Sequence, residues 1–152
     1  MPNKSIPRSE SSPTETGRPV VYWVVAVIAL LGLADATFLT VAHLTGDDAV
    51  CGSLAGCSAV LGSAYATIKG LPTASFGAAA YFTVFSLAIL AAFGYAQVRR
   101  FLVLMVAAMF LASLYFLYLQ AFVLHAFCPF CLFSAAMTFL LAGVLVAVPA
   151  DR

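Results

Sequence analysis

The chain has 152 residues, of which 64% are hydrophobic and only 9% are charged. A soluble domain of this length buries too little surface to hide that much apolar area, so the composition excludes an ordinary soluble protein. The formal net charge is +1 and the basic residues form no stripe, so nothing indicates a nucleic-acid-binding protein.

Four apolar runs are each long enough to cross a bilayer, which takes roughly 20 helical residues. They predict an all-α integral membrane protein, a four-transmembrane-helix bundle within residues 20–148. Residues 1–19 are polar and predict a disordered tail, and residues 149–152 form a short C-terminal tail. The first run is too long for a cleaved signal peptide and is interpreted as a retained helix. The predicted spans are 20–44, 74–95, 101–124 and 128–148.

Lys and Arg concentrate in three segments that alternate with the other connections. Three lie in the N-terminal tail, two in the turn 97–100 and one at the C-terminus, whereas the loop 45–73 has one Lys against two Asp. Short loops rich in Lys and Arg stay in the cytoplasm. Both termini are therefore expected in the cytoplasm, with the loop 45–73 and the link 125–127 on the outer side.

All four cysteines fall on the expected outer side. Cys51 and Cys57 lie in the long loop, and Cys128 and Cys131 begin the fourth span. The outer side of a bacterial membrane and the lumen of the endoplasmic reticulum both permit disulfides, so the two pairs are candidates for redox chemistry. Two alternatives stay open: structural disulfides, and a zinc site made of four thiolates.

The segment CPFC at 128–131 has a pattern that favours reactive thiols. Pro129 suits the first position of a helix, which makes Cys128 the cap and puts Cys131 in the first turn. A helix N-terminus carries partial positive charge and free N–H groups, and both lower the pKa of a thiol. A purely structural disulfide needs none of this.

The other pair has different surroundings. The segment CGSLAGC at 51–57 contains small residues, which predict a flexible loop in which Cys51 meets a soluble partner and then returns to Cys57. Apolar residues recur at helical spacing from 60 to 68. They predict a short amphipathic surface helix that holds Cys57 near Cys128.

These segments, taken in order, resemble the vitamin K epoxide reductase family in its small bacterial form. The similar stretches are the two loop cysteines, CSAVL at 57–61, GLPTASFGAAAY at 70–81 and CPFC at 128–131, with FLTVAH at 38–43 similar to the end of that family's first helix. The resemblance covers about residues 32–141, nearly everything outside the tails.

The resemblance implies a thiol–quinone oxidoreductase of a bacterial inner (plasma) membrane. By position, Cys51 corresponds to the cysteine that exchanges with a thioredoxin-fold, DsbA-like partner, and Cys57 to the one that passes electrons to Cys128. Cys131 corresponds to the residue beside the quinone, either menaquinone or ubiquinone, with vitamin K as an analogue. The sequence has no fused thioredoxin-like domain after residue 148, so the partner is expected to be a separate protein.

Four further residues are candidates for the quinone site or bear on it. Thr73 and Ala135 stand where vertebrate members of the family have an Asn and a Tyr that hold vitamin K; only Thr73 can donate a hydrogen bond, which favours quinone reduction over epoxide reduction. Phe76 is a candidate for the pocket lining. Asp35, a carboxylate inside the first span, is a candidate for head-group binding or proton transfer. Alternatively, Asp35 is a protonated or hydrogen-bonded side chain that faces another helix.

Three other functions stay open. One is vitamin K epoxide reduction itself. A DsbB-type quinone-coupled oxidase also has four spans and two cysteine pairs, but it carries CXXC in the first outer loop, which is the reverse of the order here. A non-catalytic four-span protein uses its disulfides only as a brace. Thiol reactivity distinguishes the brace from a relay, because a brace keeps inert disulfides in fixed pairs.

Overall fold

The structure, a computed structural model, describes residues 13–46, 51–52 and 55–148, with side chains from Arg18 onward. The remaining residues, which include most of both predicted tails, lie outside the described part. The helices are α1 (Pro13–Thr45), α2 (Ala55–Leu61), α3 (Thr73–Ala92), α4 (Val98–Tyr118) and α5 (Pro129–Ala147). The smaller elements are a 3₁₀ turn (Ala64–Ala66), strands β1 (Thr67–Ile68) and β2 (Leu71–Pro72), and a π-helical turn (Leu119–Val123) that continues α4.

Four of these helical segments are long and apolar enough to cross a membrane, which confirms the predicted four-span bundle. The largest difference is at the N-terminus. Helix α1 begins at Pro13, so residues 13–19, predicted as disordered, are helical. Polar residues can extend a helix that an apolar run has already nucleated, because each added residue costs less than the first turn. The four segments are Arg18–Thr45, Thr73–Ala92, Val98–Val123 and Pro129–Ala147.

The spans form a closed bundle in which α1 packs most extensively against α3. Helix α5 also packs against α1, and α4 packs against both α3 and α5. Small residues allow α1 and α3 to approach closely: Gly77 faces the methyl group of Ala36, and Gly32 lies against the ring of Tyr81. Lipid gives packed helices no hydrophobic driving force, so such close contacts stabilise the bundle instead.

The segment between α1 and α3 contains the predicted surface helix, but the prediction of its length was wrong. Helix α2 is only seven residues long and includes Cys57 instead of following it. After Gly62 the chain forms the 3₁₀ turn and then an antiparallel hairpin of β1 and β2. Its turn residues, Lys69 and Gly70, have φ of 51° and 83°. Positive φ at both central positions suits a two-residue hairpin, so the apolar residues near Ile68 belong to a hairpin and not to a helix.

The contact between Gly32 and Tyr81 predicts a large effect of one methyl group. A Cβ at position 32 would overlap the Tyr81 ring. That ring is fully buried, and its hydroxyl is hydrogen-bonded to Ser134 and Thr138, so moving it aside would break these bonds. Gly32→Ala is expected to lower the thermal unfolding midpoint in detergent, because overpacking costs about 1–3 kcal/mol.

Gly143→Ala is the matched control for this substitution. Gly143 also lies within a span, and a Cβ there meets nothing within 4 Å. Its midpoint should stay the same or rise, since Ala favours a helix over Gly by about 1 kcal/mol. If both variants unfolded at the wild-type temperature, the close approach of α1 and α3 would be wrong.

Candidate redox site at one end of the bundle

The CPFC segment forms the start of α5 as the sequence predicts. Cys128 is the N-cap residue, with extended backbone at φ −93° and ψ 118°, and Pro129 takes the first helical position. Cys131 therefore lies in the first turn. Both cysteines are free thiols; Cys128 is fully buried and Cys131 is partly exposed.

Gln120 holds this segment in place from the end of α4. The backbone N–H of Cys128 donates to the side-chain oxygen of Gln120 at 2.9 Å, and the N–H of Ala126 donates to the backbone oxygen of Gln120 at 3.1 Å. Just before Ala126, His125 turns the chain with a positive φ of 48°. Sequence reasoning missed Gln120. The available signal was a lone amide inside an apolar span, where a polar side chain is costly unless it is bonded.

The loop cysteines lie directly beside this segment. Cys51 and Cys57 form a disulfide with a Cα–Cα distance of 5.5 Å. They cluster with Cys128, and Cys131 packs against the cluster. Gly56 brings α2 so close to Phe127 that a Cβ at position 56 would overlap the Phe127 carbonyl oxygen. The fold thus brings all four predicted cysteines together at one end of the bundle.

The surroundings of Cys51 differ from the predicted flexible, accessible loop. Cys51 is only 4% exposed and Cys57 is not exposed at all. The small residues around them do not keep the pair in solvent, because the disulfide and the apolar side chains of Val60 and Leu61 enclose it. A soluble partner therefore cannot reach Cys51 unless this segment moves.

The environment of Cys128 favours its thiolate. Its pKa is lowered to about 7, and the largest cause is the hydrogen bond with the Cys131 thiol, which stabilises the negative sulfur. Backbone N–H groups of Cys131 and Phe130 act in the same direction. They do so by their partial charges, since no capping hydrogen bond to the Cys128 side chain is formed. Burial and the nearby charge of Asp35 oppose them.

Cys131 borders a cavity of about 340 Å³ inside the bundle. Thr73 and Phe76 also line it, so three of the four residues predicted for the quinone site lie together, and so does Ala135. The Thr73 hydroxyl donates to the backbone oxygen of Tyr65 at 2.9 Å. Its hydrogen is therefore already engaged, in contrast to the expected role of Thr73 as a donor to the ligand.

The lining is apolar apart from a few hydroxyl and amide groups. The Tyr81 hydroxyl donates to the backbone oxygen of Ser134 at 2.6 Å and lies 2.9 Å from the Thr138 hydroxyl. Gln120 and His43 are also among the lining residues. A cavity of this size, mostly apolar with a few polar groups, suits a flat organic ring such as a quinone head group.

Asp35, the fourth predicted residue, is not among those that line the cavity. It is 9% exposed, and its Oδ2 atom is buried without a hydrogen bond to any of the described residues. Phe38 follows it on the same helix face, and the Phe38 ring packs against that of Phe130 at 5.6 Å. Asp35 therefore lies on the side of α1 that faces the start of α5.

The sequence profile described as the vitamin K epoxide reductase family matches residues 23–146 of the 152-residue chain. The match spans all four membrane helices and both cysteine pairs. Members of this family are membrane oxidoreductases that act on thiols or disulfides and on quinones. A match over this range, on a four-helix bundle with its cysteines at one end, means that the chain belongs to the vitamin K epoxide reductase family.

Proposed function

We propose that the protein is a thiol–quinone oxidoreductase that reoxidises a thioredoxin-fold, DsbA-like partner and so supports disulfide formation in exported proteins. Electrons pass through two cysteine pairs to menaquinone or ubiquinone. The observation that supports this most is the packing of Cys128 against the loop disulfide while Cys131 borders the cavity. The sulfur atoms thus form a series from the outer loop to a quinone-sized space.

The first exchange uses the loop pair. A partner thiolate attacks Cys51, the Cys51–Cys57 bond breaks, and the resulting mixed disulfide is resolved by the second thiol of the partner. The partner leaves as a disulfide, and Cys51 and Cys57 remain as thiols. Because Cys51 is buried, this exchange requires the loop to open.

The second exchange passes the electrons inward. The Cys57 thiolate attacks Cys128 within an oxidised Cys128–Cys131 pair, and Cys131 leaves as a thiolate. Cys51 then attacks Cys57 and releases Cys128, which restores the loop disulfide. The pairing in the structure, with an oxidised loop pair and two free thiols in CPFC, corresponds to the state after this step.

The last step oxidises Cys128 and Cys131. When their disulfide forms, the pair releases two electrons and two protons, and the quinone takes up both to become a hydroquinone. Cys128 supplies the thiolate, since its pKa is about 7, and Cys131 supplies the sulfur next to the cavity. Phe76 and the other apolar lining residues keep water away from the ring.

We also propose that the cysteine end of the bundle faces outward in a bacterial inner membrane, with both termini in the cytoplasm. Arg99 and Arg100 lie at the opposite end, in the first turn of α4. The Arg99 side chain donates to the backbone oxygen of Val148 at 2.6 Å, which ties this cationic turn to the end of α5. The positive-inside rule assigns that end to the cytoplasm.

Two alternative functions, a structural brace and epoxide reduction, agree less well with the structure. A structural brace agrees with the buried Cys51–Cys57 disulfide, but it gives no role to two free thiols beside a cavity. Epoxide reduction is disfavoured because Thr73 already donates to Tyr65 and Ala135 has no donor. Quinone reduction needs neither of these donors.

Two cysteine variants test the order of the relay. Quinone reduction by the purified protein in detergent is measured with a reduced thioredoxin-fold donor and with a small dithiol. Cys131→Ser is expected to abolish turnover with both donors, because it removes the sulfur next to the cavity. Cys51→Ser should abolish turnover with the protein donor only. If wild type reduced no quinone with either donor and its disulfide resisted mild reductant, the brace would replace the relay.

The lowered pKa of Cys128 predicts a specific pH dependence of its ionisation. The thiolate absorbs ultraviolet light more strongly than the thiol, so this absorbance should be half-maximal near pH 7 and fall as the pH drops below that value. Cys131→Ala removes the main stabilising hydrogen bond and should move the midpoint up toward about 8.5, the value of an ordinary thiol. The absorbance change is assigned to Cys128 by its loss in Cys128→Ser. A midpoint unchanged by Cys131→Ala would mean that the two thiols do not interact.

Asp35 is proposed to hold a proton close to the CPFC pair while the thiols are oxidised. A buried carboxylate oxygen without a hydrogen bond costs about 1–3 kcal/mol, which calls for a functional reason. Asp35→Asn keeps the shape but cannot take up and release a proton. Steady-state quinone reduction should fall while disulfide exchange between the partner and Cys51 continues at the wild-type rate. Full turnover in Asp35→Asn would leave the carboxylate without this role.

A further inference from the structure

Gln120 is the one buried side-chain amide that contacts both the reactive cysteines and the cavity within the described residues. It is 3% exposed and lies in the π-helical turn Leu119–Val123. Turns of this kind are rare, and they occur frequently at functional sites. The turn shifts the end of α4 so that Gln120 meets the backbone that begins α5.

The orientation of the amide follows from its partner. The N–H of Cys128 can only donate, so the atom at 2.9 Å must be the Gln120 oxygen. The amide nitrogen then forms the other branch of the side chain. This nitrogen makes no hydrogen bond to the described residues. It is also not completely enclosed by protein atoms. Since Gln120 lines the cavity, two N–H donors are available to a ligand there.

We propose that Gln120 is a positioning residue that bridges the cysteine pair and the electron acceptor. Its oxygen holds Cys128 as the N-cap of α5, and its nitrogen donates to a carbonyl oxygen of the quinone in the cavity. This inference rests on the proposed function, because the quinone that Gln120 would contact is the electron acceptor of that function.

The bond to Cys128 has a chemical consequence. The Cys128 thiolate depends on the Cys131 thiol and on the N–H groups of the first turn of α5. Those groups lie near the sulfur only while Cys128 keeps its capping conformation. Without the Gln120 oxygen, the Cys128 N–H would lose the one partner it has among the described residues, and the capping conformation would no longer be fixed.

The bond to the acceptor would act on the other reactant. A donor at a quinone carbonyl stabilises the negative charge that this oxygen gains as electrons arrive from the thiols. The two electrons still come from Cys128 and Cys131, and the two protons still come from their thiols. Gln120 exchanges neither electrons nor protons; it orients the two reacting groups toward each other.

Two substitutions separate this role from simple packing. Gln120→Met keeps the length of the side chain but removes both hydrogen bonds, and Gln120→Asn keeps the amide but is too short to reach both partners. Leu141→Met is the matched control, because Leu141 is also buried in a span but is not among the residues that line the cavity. Thermal unfolding of each variant in detergent shows whether the fold is retained.

Two readouts are measured on the full chain. The ultraviolet absorbance of the Cys128 thiolate against pH should have its midpoint about one unit higher in Gln120→Met than in wild type, so the thiolate fraction at pH 7 falls roughly fivefold. The Kd for a short-chain ubiquinone, measured at equilibrium, should rise about tenfold. Gln120→Asn should raise the midpoint, the Kd or both, and Leu141→Met should change neither by more than about twofold.

The outcomes are distinct. If Gln120→Met and Gln120→Asn retain the wild-type midpoint and Kd, Gln120 has only a packing role and the inference is overturned. A higher midpoint with an unchanged Kd overturns the bridge, since the amide then touches only the cysteine side. If the wild-type protein does not bind the quinone, the proposed function fails. That result differs from weaker quinone binding in the Gln120 variants alone, which supports the inference.

Discussion

The site depends on how the chain satisfies its backbone hydrogen bonds between α4 and α5. A membrane-edge segment has little water to pair with exposed N–H groups, so a break between two spans must be bonded internally. Gln120 does this twice, through its backbone oxygen to Ala126 and through its side chain to Cys128. The π-helical turn places it there, and the left-handed residue His125 turns the chain toward α5. The cap at Cys128, the first-turn position of Cys131 and the mouth of the cavity follow from this one connection.

Close packing within the spans also helps to position the site. Because Gly32 admits the Tyr81 ring between α1 and α3, the Tyr81 hydroxyl reaches Ser134 and Thr138 on α5. This contact fixes α5 relative to α3 about one helical turn inside Cys131. Tyr81, Ser134 and Thr138 all line the cavity, so these hydrogen bonds lie in its wall.

Much of this arrangement was predictable from the sequence, for identifiable reasons. The four spans, and Cys128 as a helix cap, follow from apolar runs and from Pro129, whose effects are local. The hairpin near Lys69 and Gly70 was not predicted, since the apolar residues there have a spacing that also fits a helix, and only the two positive φ values decide. Neither was the burial of Cys51, or the role of Gln120 in holding Cys128. The burial of Cys51 depends on its contact with Cys128, far along the chain, which no local pattern encodes. Gln120 is close to Cys128 in sequence, but only the π-helical turn and the turn at His125 bring the two together.

Burial of the sulfur atoms gives the proposed relay its direction. Cys57 and Cys128 are both fully enclosed, so exchange between them can proceed without competition from thiols in solution. Cys51 is the more exposed member of the loop pair, and Cys131 is the sulfur that borders the cavity. Helix α2 is short, and Gly56 presses it against Phe127 through backbone contact alone. An element held by so few apolar contacts opens at a lower free-energy cost than a span does, so the loop is the part of the fold suited to admit a partner while the bundle stays intact.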